Sequence, residues 1–215
     1  GLIGVEVAEV LHQRGLHVAF VIRENWYFPL ALDASESALV AEHMRGAGID
    51  VRLGANADEV LRAADGRVRG VRLGGEELAC DLVVCAIGVV PNTEWLEGSG
   101  LVLDNGIVCN ASGEAAPGVY AAGDVARVAN QWYGESPRIE HWSNAVEQAV
   151  HAAENLLAGP EAGTSFSSVP YFWSDQYDRK IQFIGRARPH DEVLIVDGSL
   201  AERRLTALFR RGDRV

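Results

Sequence analysis

The chain begins inside a glycine motif that constrains how its first residues can fold. Gly1-Leu-Ile-Gly-Val-Glu6 matches the second half of a G-x-G-x-x-G pattern, with Gly1 as the second glycine and Gly4 as the third. Such glycines permit a tight turn before a helix whose free N–H groups bind a pyrophosphate. The strand and first glycine that normally precede them are not in the sequence. We therefore expect a dinucleotide site here, and we expect the chain to be a piece of a longer protein.

Helix and strand patterns alternate after this motif. The sequence predicts helices over 2–14 and 35–47, and buried strands over 17–22, 49–53 and 82–87. Residues 67–78 alternate around Gly74-Gly75, which predicts a hairpin. This order is typical of an α/β, doubly wound, Rossmann-like domain.

The second half of the chain has a different character. After Pro91 the sequence is rich in turn residues, and a long helix is predicted over 140–157. Small residues dominate 160–168, which favours a linker. Beyond it the chain becomes aromatic and then strand-like, and it stops within a strand-turn-strand pattern.

Charge and cysteine content narrow the classes of partner and compartment. The net charge of −11 argues against nucleic acid or an anionic membrane as partner. No apolar run approaches the roughly 20 residues of a membrane span. The three cysteines, Cys80, Cys85 and Cys109, suit a reducing, cytoplasmic compartment. Cys80-Asp-Leu-Val-Val-Cys85 has the composition of a buried strand, on which the two thiols would point to opposite faces. We therefore predict that Cys80 and Cys85 are inert core thiols.

The first turn of the N-terminal helix supplies the candidate nucleotide ligands. They are the backbone groups of Gly1, Leu2, Ile3 and Gly4. The motif also predicts an acidic residue about 20 positions on that binds the ribose. Ile22 occupies that position, followed by Arg23, which can accept a 2′-phosphate, and by Glu24, which can still reach a ribose. The choice between NAD and NADP therefore stays open.

Two further glycine motifs complete a family pattern. One strand leads into a turn at Ile87-Gly88, and Val119-Tyr-Ala-Ala-Gly-Asp124 ends in Gly-Asp. With these motifs the chain closely resembles the FAD-dependent pyridine nucleotide-disulfide oxidoreductases, and most of all their ferredoxin reductase branch, which includes putidaredoxin and rubredoxin reductases. The motifs that carry this resemblance are Gly1-Leu-Ile-Gly-Val-Glu6, Ala86-Ile-Gly-Val-Val-Pro-Asn92, Tyr120-Ala-Ala-Gly-Asp-Val125, Glu140-His-Trp-Ser-Asn-Ala145 and Val169-Pro-Tyr-Phe-Trp-Ser-Asp175.

The resemblance implies cofactor-binding roles for residues around the second and third motifs. Ile87 and Gly88 would bind cofactor, and Gly123 with Asp124 would form the second FAD motif, with the aspartate bonding to the ribityl chain. His141 and Trp142 precede a helix whose positive N-terminal end would face the flavin pyrimidine edge.

Two residues would act nearer the chemistry. The resemblance places Glu6 near the nicotinamide in a positioning role, and Trp173 near the flavin and the electron acceptor. Plain alternatives exist for both, because Glu6 also suits the start of a helix and Trp173 also suits an apolar core. His141 has no His or Cys partner at ligand spacing, so we predict no metal site.

The sequence thus predicts an oxidoreductase fragment with three parts. These are an NAD(P)-binding domain over 1–90, the returning part of an FAD-binding domain over 91–162, and an incomplete C-terminal domain over 163–215. The whole protein, a monomer or homodimer, would transfer electrons from NAD(P)H through FAD to a ferredoxin-type iron–sulfur protein. Alternatives are another acceptor (rubredoxin, nitrite reductase or a quinone) or a non-catalytic NAD(P)-binding fragment or sensor. The chain departs from the family at Ile22-Arg23 and at Asn110, where an aspartate is common.

Overall fold

The computed structural model of the chain contains two compact units. The structure describes residues 1–24, 34–159, 161–188, 190–199, 201–202 and 204–215. The first unit comprises residues 1–88, 175–179 and 187–215, and the second comprises residues 89–174 and 180–186. None of the helices in the described ranges is both long and apolar enough to span a bilayer. The predicted domain boundaries at residues 90 and 162 stay a prediction.

The first unit opens with alternating helices and strands. They are α1 (Leu2–Gln13), β1 (Ala19–Ile22), α2 (Ala34–Gly46) and β2 (Asp50–Leu53). Strands β1 and β2 pair in parallel, with Ala19 opposite Asp50 and Ile22 opposite Leu53. A parallel pair needs a crossover connection, and α2 lies between the two strands in the sequence. The predicted α/β class is therefore confirmed, with helix and strand bounds within two residues of those expected.

Antiparallel strands make up the rest of this unit. They are β3 (Ala57–Arg62), β4 (Val68–Leu73), β5 (Glu76–Ala79), β12 (Glu192–Ser199) and β13 (Arg204–Arg210). The predicted hairpin joins β4 to β5, and both Gly74 and Gly75 have positive φ, as a tight hairpin turn requires. Strand β3, which pairs with β4, was not expected from the sequence.

The prediction of a strand over 82–87 is wrong. These residues have no regular secondary structure, and Leu82, Val84 and Ile87 are exposed, Ile87 by 92%. A strand needs a neighbour to satisfy its N–H and C=O groups, and among the described residues none pairs with this segment. The expected burial of its cysteines fails with it, because Cys80 is half-buried and Cys85 is exposed.

A single apolar core organises the helices of the first unit. Its buried members are Val5, Ala8, Phe20, Ala41, Met44, Ile49 and Val51. Tyr177 packs against this core with a positive φ of 56°. Its backbone N–H donates to Oε2 of Glu9, a buried residue of α1, at 2.7 Å. Tyr177 lies in the turn between β10 (Tyr171–Gln176) and β11 (Arg179–Ile184), whose tip, residues 175–179, belongs to this unit.

The second unit combines short strands with one long helix. The elements are β6 (Ile107–Cys109), β7 (Glu114–Ala116), β8 (Val119–Tyr120), β9 (Ala126–Val128) and α3 (Trp142–Ala158). Strands β6 and β9 pair in parallel, and β7 and β8 pair antiparallel. The buried core contains Leu96, Ile107, Cys109, Ala121, Ala126, Val128 and Phe166.

The segment predicted as a linker is instead fastened to α3. The amide of Asn155, which is only 2% exposed, donates to the carbonyl of Thr164 and accepts its N–H, each at 2.9 Å. Phe166 is buried in the core of the unit. Small residues here permit close packing rather than flexibility. Residue 160, at the start of the predicted linker, lies outside the described residues.

Candidate functional site

The first candidate site lies at the N-terminus of α1. Gly1 has open space where a Cβ would point, whereas a Cβ on Gly4 would lie 3.2 Å from Cε2 of Phe20 and 3.3 Å from Cβ of Ala86. Gly4 therefore lets α1 pack closely on β1, and Gly1 leaves the backbone open to a ligand. The first N–H groups of a helix have no partner within it, so Gly1, Leu2 and Ile3 offer donors to an anion.

Further predicted residues lie close to this helix start. Ala86 lies against α1, since a Cβ on Gly4 would be 3.3 Å from Cβ of Ala86. Ile87 and Gly88 follow Ala86 directly in the chain, and Ile87 is 92% exposed. Glu6 is half-buried just beyond the first turn, one residue later than expected for a first-turn acid.

An ion pair occupies the carboxyl end of β1. Nη2 of Arg23 lies 2.8 Å from Oε1 of Glu24, and their side chains are 78% and 37% exposed. The hydrogen bond from Arg23 is the main cause that lowers the pKa of the Glu24 carboxyl. A 2′-phosphate on Arg23 would have to compete with Glu24.

The second candidate site is the turn at Gly123 and Asp124. Residues Gly123–Val125 form one turn of 3-10 helix, and Gly123 has a φ of 77°. The Gly123 N–H donates to Oε1 of Gln148 at 2.9 Å, and the Asp124 carbonyl accepts from Nη1 of Arg138 at 3.0 Å. The Asp124 residue itself is exposed, so its carboxylate is accessible to a ligand.

His141 and Trp142 stand at the start of α3, beside this turn. Nδ1 of His141 is buried and has no hydrogen-bond partner among the described residues. Burial lowers the pKa of His141, while the charges of Asp124 and Glu140 oppose the shift. A neutral imidazole with an unused nitrogen is suited to a ligand that supplies the missing hydrogen bond. Trp142 is 73% exposed.

Trp173 belongs to a partly exposed aromatic cluster on the same unit. The Trp142 ring meets it edge-on with centroids 6.2 Å apart, and Tyr171 stacks against it at 5.8 Å. Trp173 is 40% exposed, so the alternative of a tryptophan in an apolar core does not fit.

Asn110 keeps the role of the expected aspartate in its turn. Its Oδ1 accepts the N–H groups of Ser112 at 2.9 Å and Glu114 at 3.0 Å. A carboxylate oxygen would accept the same bonds, so the substitution leaves the turn intact.

Sequence reasoning missed Gln148 and Arg138, although one of them left a signal. Asn144, Gln148 and Asn155 are polar yet buried on α3. They recur at helical spacing on the stripe that also buries Ala152, and polar residues on such a stripe bind specific partners. No comparable pattern in the sequence marks Arg138. Within the described ranges, no three His, Cys, Asp or Glu side chains converge as a metal-binding group.

Comparison with known proteins identifies the family of the chain. Residues 1–149 match the family described as pyridine nucleotide-disulphide oxidoreductase, and residues 171–215 match the reductase C-terminal family. The chain belongs to the pyridine nucleotide-disulphide oxidoreductase family.

The relatives lie in the expected branch. The whole chain aligns with 51% of putidaredoxin reductase from Pseudomonas putida at 34% identity. It also aligns with 52% of the ferredoxin reductase subunit of 5,5'-dehydrodivanillate O-demethylase from a Sphingobium species, at 33% identity. The chain thus spans about half the length of these curated relatives. The resemblance to ferredoxin reductases is confirmed.

A solved structure supports the same assignment. The ferredoxin reductase for the CYP199A2 system of Rhodopseudomonas palustris superposes with a TM-score of 0.89 at 34% identity, over 99% of this chain and 52% of that one. A covalent complex of putidaredoxin reductase with putidaredoxin gives a TM-score of 0.90 at 32% identity, over 99% of this chain and 51% of that one.

Proposed function

We propose that this chain is part of a ferredoxin reductase that transfers electrons from NAD(P)H through FAD to a ferredoxin-type iron–sulfur protein. The observation that carries the proposal is the accessible Asp124 carboxylate beside His141, whose buried Nδ1 has no partner among the described residues. A flavin edge and its ribityl hydroxyls offer the hydrogen-bonding groups that such a pair lacks.

The start of α1 would bind the pyrophosphate of the nicotinamide cofactor. Gly1 leaves room for the phosphate, and the unpaired N–H groups of Leu2 and Ile3 with the positive end of the helix dipole stabilise its charge. Glu6 would position the nicotinamide. Arg23 and Glu24 would lie near the adenosine ribose.

The second unit would hold part of the flavin. Gly123 and Asp124 would bind the ribityl chain, and His141 with Trp142 would lie at the flavin pyrimidine edge. When bound, FAD would supply the redox chemistry between NAD(P)H and a one-electron acceptor. The residues of the chain would orient the cofactor.

The partly exposed cluster of Tyr171, Trp173 and Trp142 would face the electron acceptor. Trp142 and Trp173 are exposed, and the half-buried Tyr171 stacks on Trp173. Exposed aromatic side chains that lie together are typical of interaction surfaces. A ferredoxin-type acceptor follows from the branch of relatives, among which the solved complex contains putidaredoxin. A cytoplasmic location is part of the proposal, because three free cysteines suit a reducing compartment.

Flavin content and acceptor dependence test the proposal. We expect the purified full-length gene product to show flavin absorbance that NADH or NADPH bleaches without oxygen. Cytochrome c reduction should then depend on added ferredoxin. Absence of flavin would contradict the reductase assignment and favour a non-catalytic nucleotide-binding role. A rate that is independent of ferredoxin would point to another acceptor, such as rubredoxin, nitrite reductase or a quinone.

A further inference from the structure

We propose that Gln148 and Arg138 are positioning residues that hold the Gly123–Asp124 turn in its ligand-binding conformation. The inference rests on the proposed flavin-binding role of that turn. Neither side chain belongs to the motifs that define the site in the sequence, and each contacts the turn through its backbone.

Gln148 holds the N-terminal side of the turn. Its side chain projects from α3, is only 5% exposed, and accepts the Gly123 N–H through Oε1 at 2.9 Å. Gly123 has a left-handed φ of 77°. Because a glycine can adopt many other backbone conformations, this one has to be selected by its contacts. A single buried acceptor selects one of them, because a buried N–H without a partner is strongly disfavoured.

Arg138 holds the C-terminal side. Its Nη1 donates to the carbonyl of Asp124 at 3.0 Å, and its Nη2 pairs with Oε1 of Glu140 at 2.5 Å. The side chain is 11% exposed. Gly106 makes room for it, since a Cβ there would lie 3.1 Å from Cδ of Arg138.

Because these two contacts hold the backbone of the turn, the Asp124 carboxylate is not needed to stabilise it. The scaffold satisfies one N–H and one C=O of the turn, so the carboxylate stays exposed in the same orientation before a ligand arrives. Preorganisation of this kind strengthens binding because less freedom is lost on association. Loss of either contact should therefore weaken FAD binding more than it weakens the fold.

FAD titration of the apo form of the full-length gene product tests this inference. Gln148→Leu removes the acceptor, and we expect the Kd for FAD, measured by flavin fluorescence, to rise about tenfold or more. Gln148→Glu restores an acceptor oxygen and should return the Kd to within about threefold of the unmodified value. Asn155→Leu is the matched control. It removes an equally buried amide of α3 that bonds to Ser112 and Thr164 instead.

The control separates positioning from general stability. Asn155→Leu should lower the unfolding temperature and leave the Kd for FAD unchanged. An unchanged Kd in Gln148→Leu, or an equal rise in Asn155→Leu, would overturn the inference. Should Gln148→Leu fail to fold, Arg138→Met carries the test, with an expected rise of about threefold and an unchanged Kd as the contrary result. If the unmodified protein binds no FAD, the proposed function itself fails.

Discussion

The two glycine turns of this chain are built in opposite ways. At the start of α1, the backbone relies on the helix itself, and Gly4 is needed so that the helix can approach Phe20 and Ala86. At Gly123–Asp124, two side chains distant in the sequence, Gln148 and Arg138, hold the backbone from outside. The backbone conformation at the first glycines is thus set by the helix that they begin, whereas that of the second turn is held by side chains from elsewhere in its unit.

This difference has a practical meaning for sequence interpretation. The first site is visible as a motif, because the residues that set its backbone conformation lie within a few positions of one another. The second turn is recognisable only in part. Its glycine and aspartate belong to the motif, but Gln148 and Arg138, which hold its backbone, do not. The following variants test the contrast, beginning with the largest expected effect.

Gly106 should be the most sensitive glycine near the second turn. A Cβ there would lie 2.6 Å from the Val125 carbonyl oxygen, and Gly106 has a φ of 126°. We expect Gly106→Ala to lower the free energy of unfolding by about 3 to 5 kcal/mol, measured by urea denaturation. Gly118→Ala is the control, because it has a φ of 74° and open space, and it should cost only about 1 to 2 kcal/mol. Equal losses would show that backbone conformation alone matters.

The first turn should separate stability from binding. Gly4→Val places methyl groups against Phe20 and Ala86, so we expect a loss of about 1 to 3 kcal/mol in the free energy of unfolding. Gly1→Ala meets no atom within 4 Å, so its stability should stay near that of the unmodified chain while NAD(P)H binding weakens. Titration with NADH alongside thermal unfolding measures both. Unchanged NADH binding in Gly1→Ala would contradict an open phosphate site.

The Arg23–Glu24 pair should have a smaller effect on cofactor preference. Glu24→Gln frees the Arg23 guanidinium from a charged partner, so NADPH binding should improve relative to NADH. Exposed pairs contribute at most ~1 kcal/mol, which limits the change in the ratio of the two Kd values to about fivefold. Arg23→Gln should shift the ratio in the opposite direction. A ratio that neither variant moves would exclude this end of β1 from ribose recognition.

The pH dependence of His141 should be the smallest effect. Its folded-state pKa is below the ordinary 6.5, mainly because of burial, so the unfolded chain binds more protons between the two values. The contribution of neutral His141 to the free energy of unfolding is therefore fully present above about pH 6.5, and it declines as the pH falls toward the folded-state pKa. We expect the unfolding temperature to fall less between about pH 7.5 and pH 5.5 in His141→Asn than in the unmodified chain. Parallel curves would contradict the shift.

The sequence was sufficient where each requirement is local. Gly74-Gly75 predicts its hairpin because both residues must adopt positive φ, and Gly15 ends α1 for the same reason. The motif of the Gly123–Asp124 turn was equally visible, and the structure shows why a glycine stands there, since its φ of 77° is left-handed.

The errors arose where structure depends on a partner. Residues 82–87 have the apolar composition of a buried strand, yet a strand is stable only when neighbours pair with it, and none among the described residues does. The exposure of Cys85 follows from that failure. Composition likewise suggested a linker around Thr164, because small residues look flexible until a side chain such as Asn155 fastens them.

Helix α3 sets a fixed spacing between two parts of the second site. His141 precedes its first turn and Gln148 lies seven residues later, about 10 Å along the axis. One inserted residue between them would rotate Gln148 by roughly 100° and move its amide away from Gly123. Natural variation in length should therefore be excluded from residues 141–148 and tolerated in the loops on either side. Such a pattern of insertions among relatives would record the constraint without any measurement of binding.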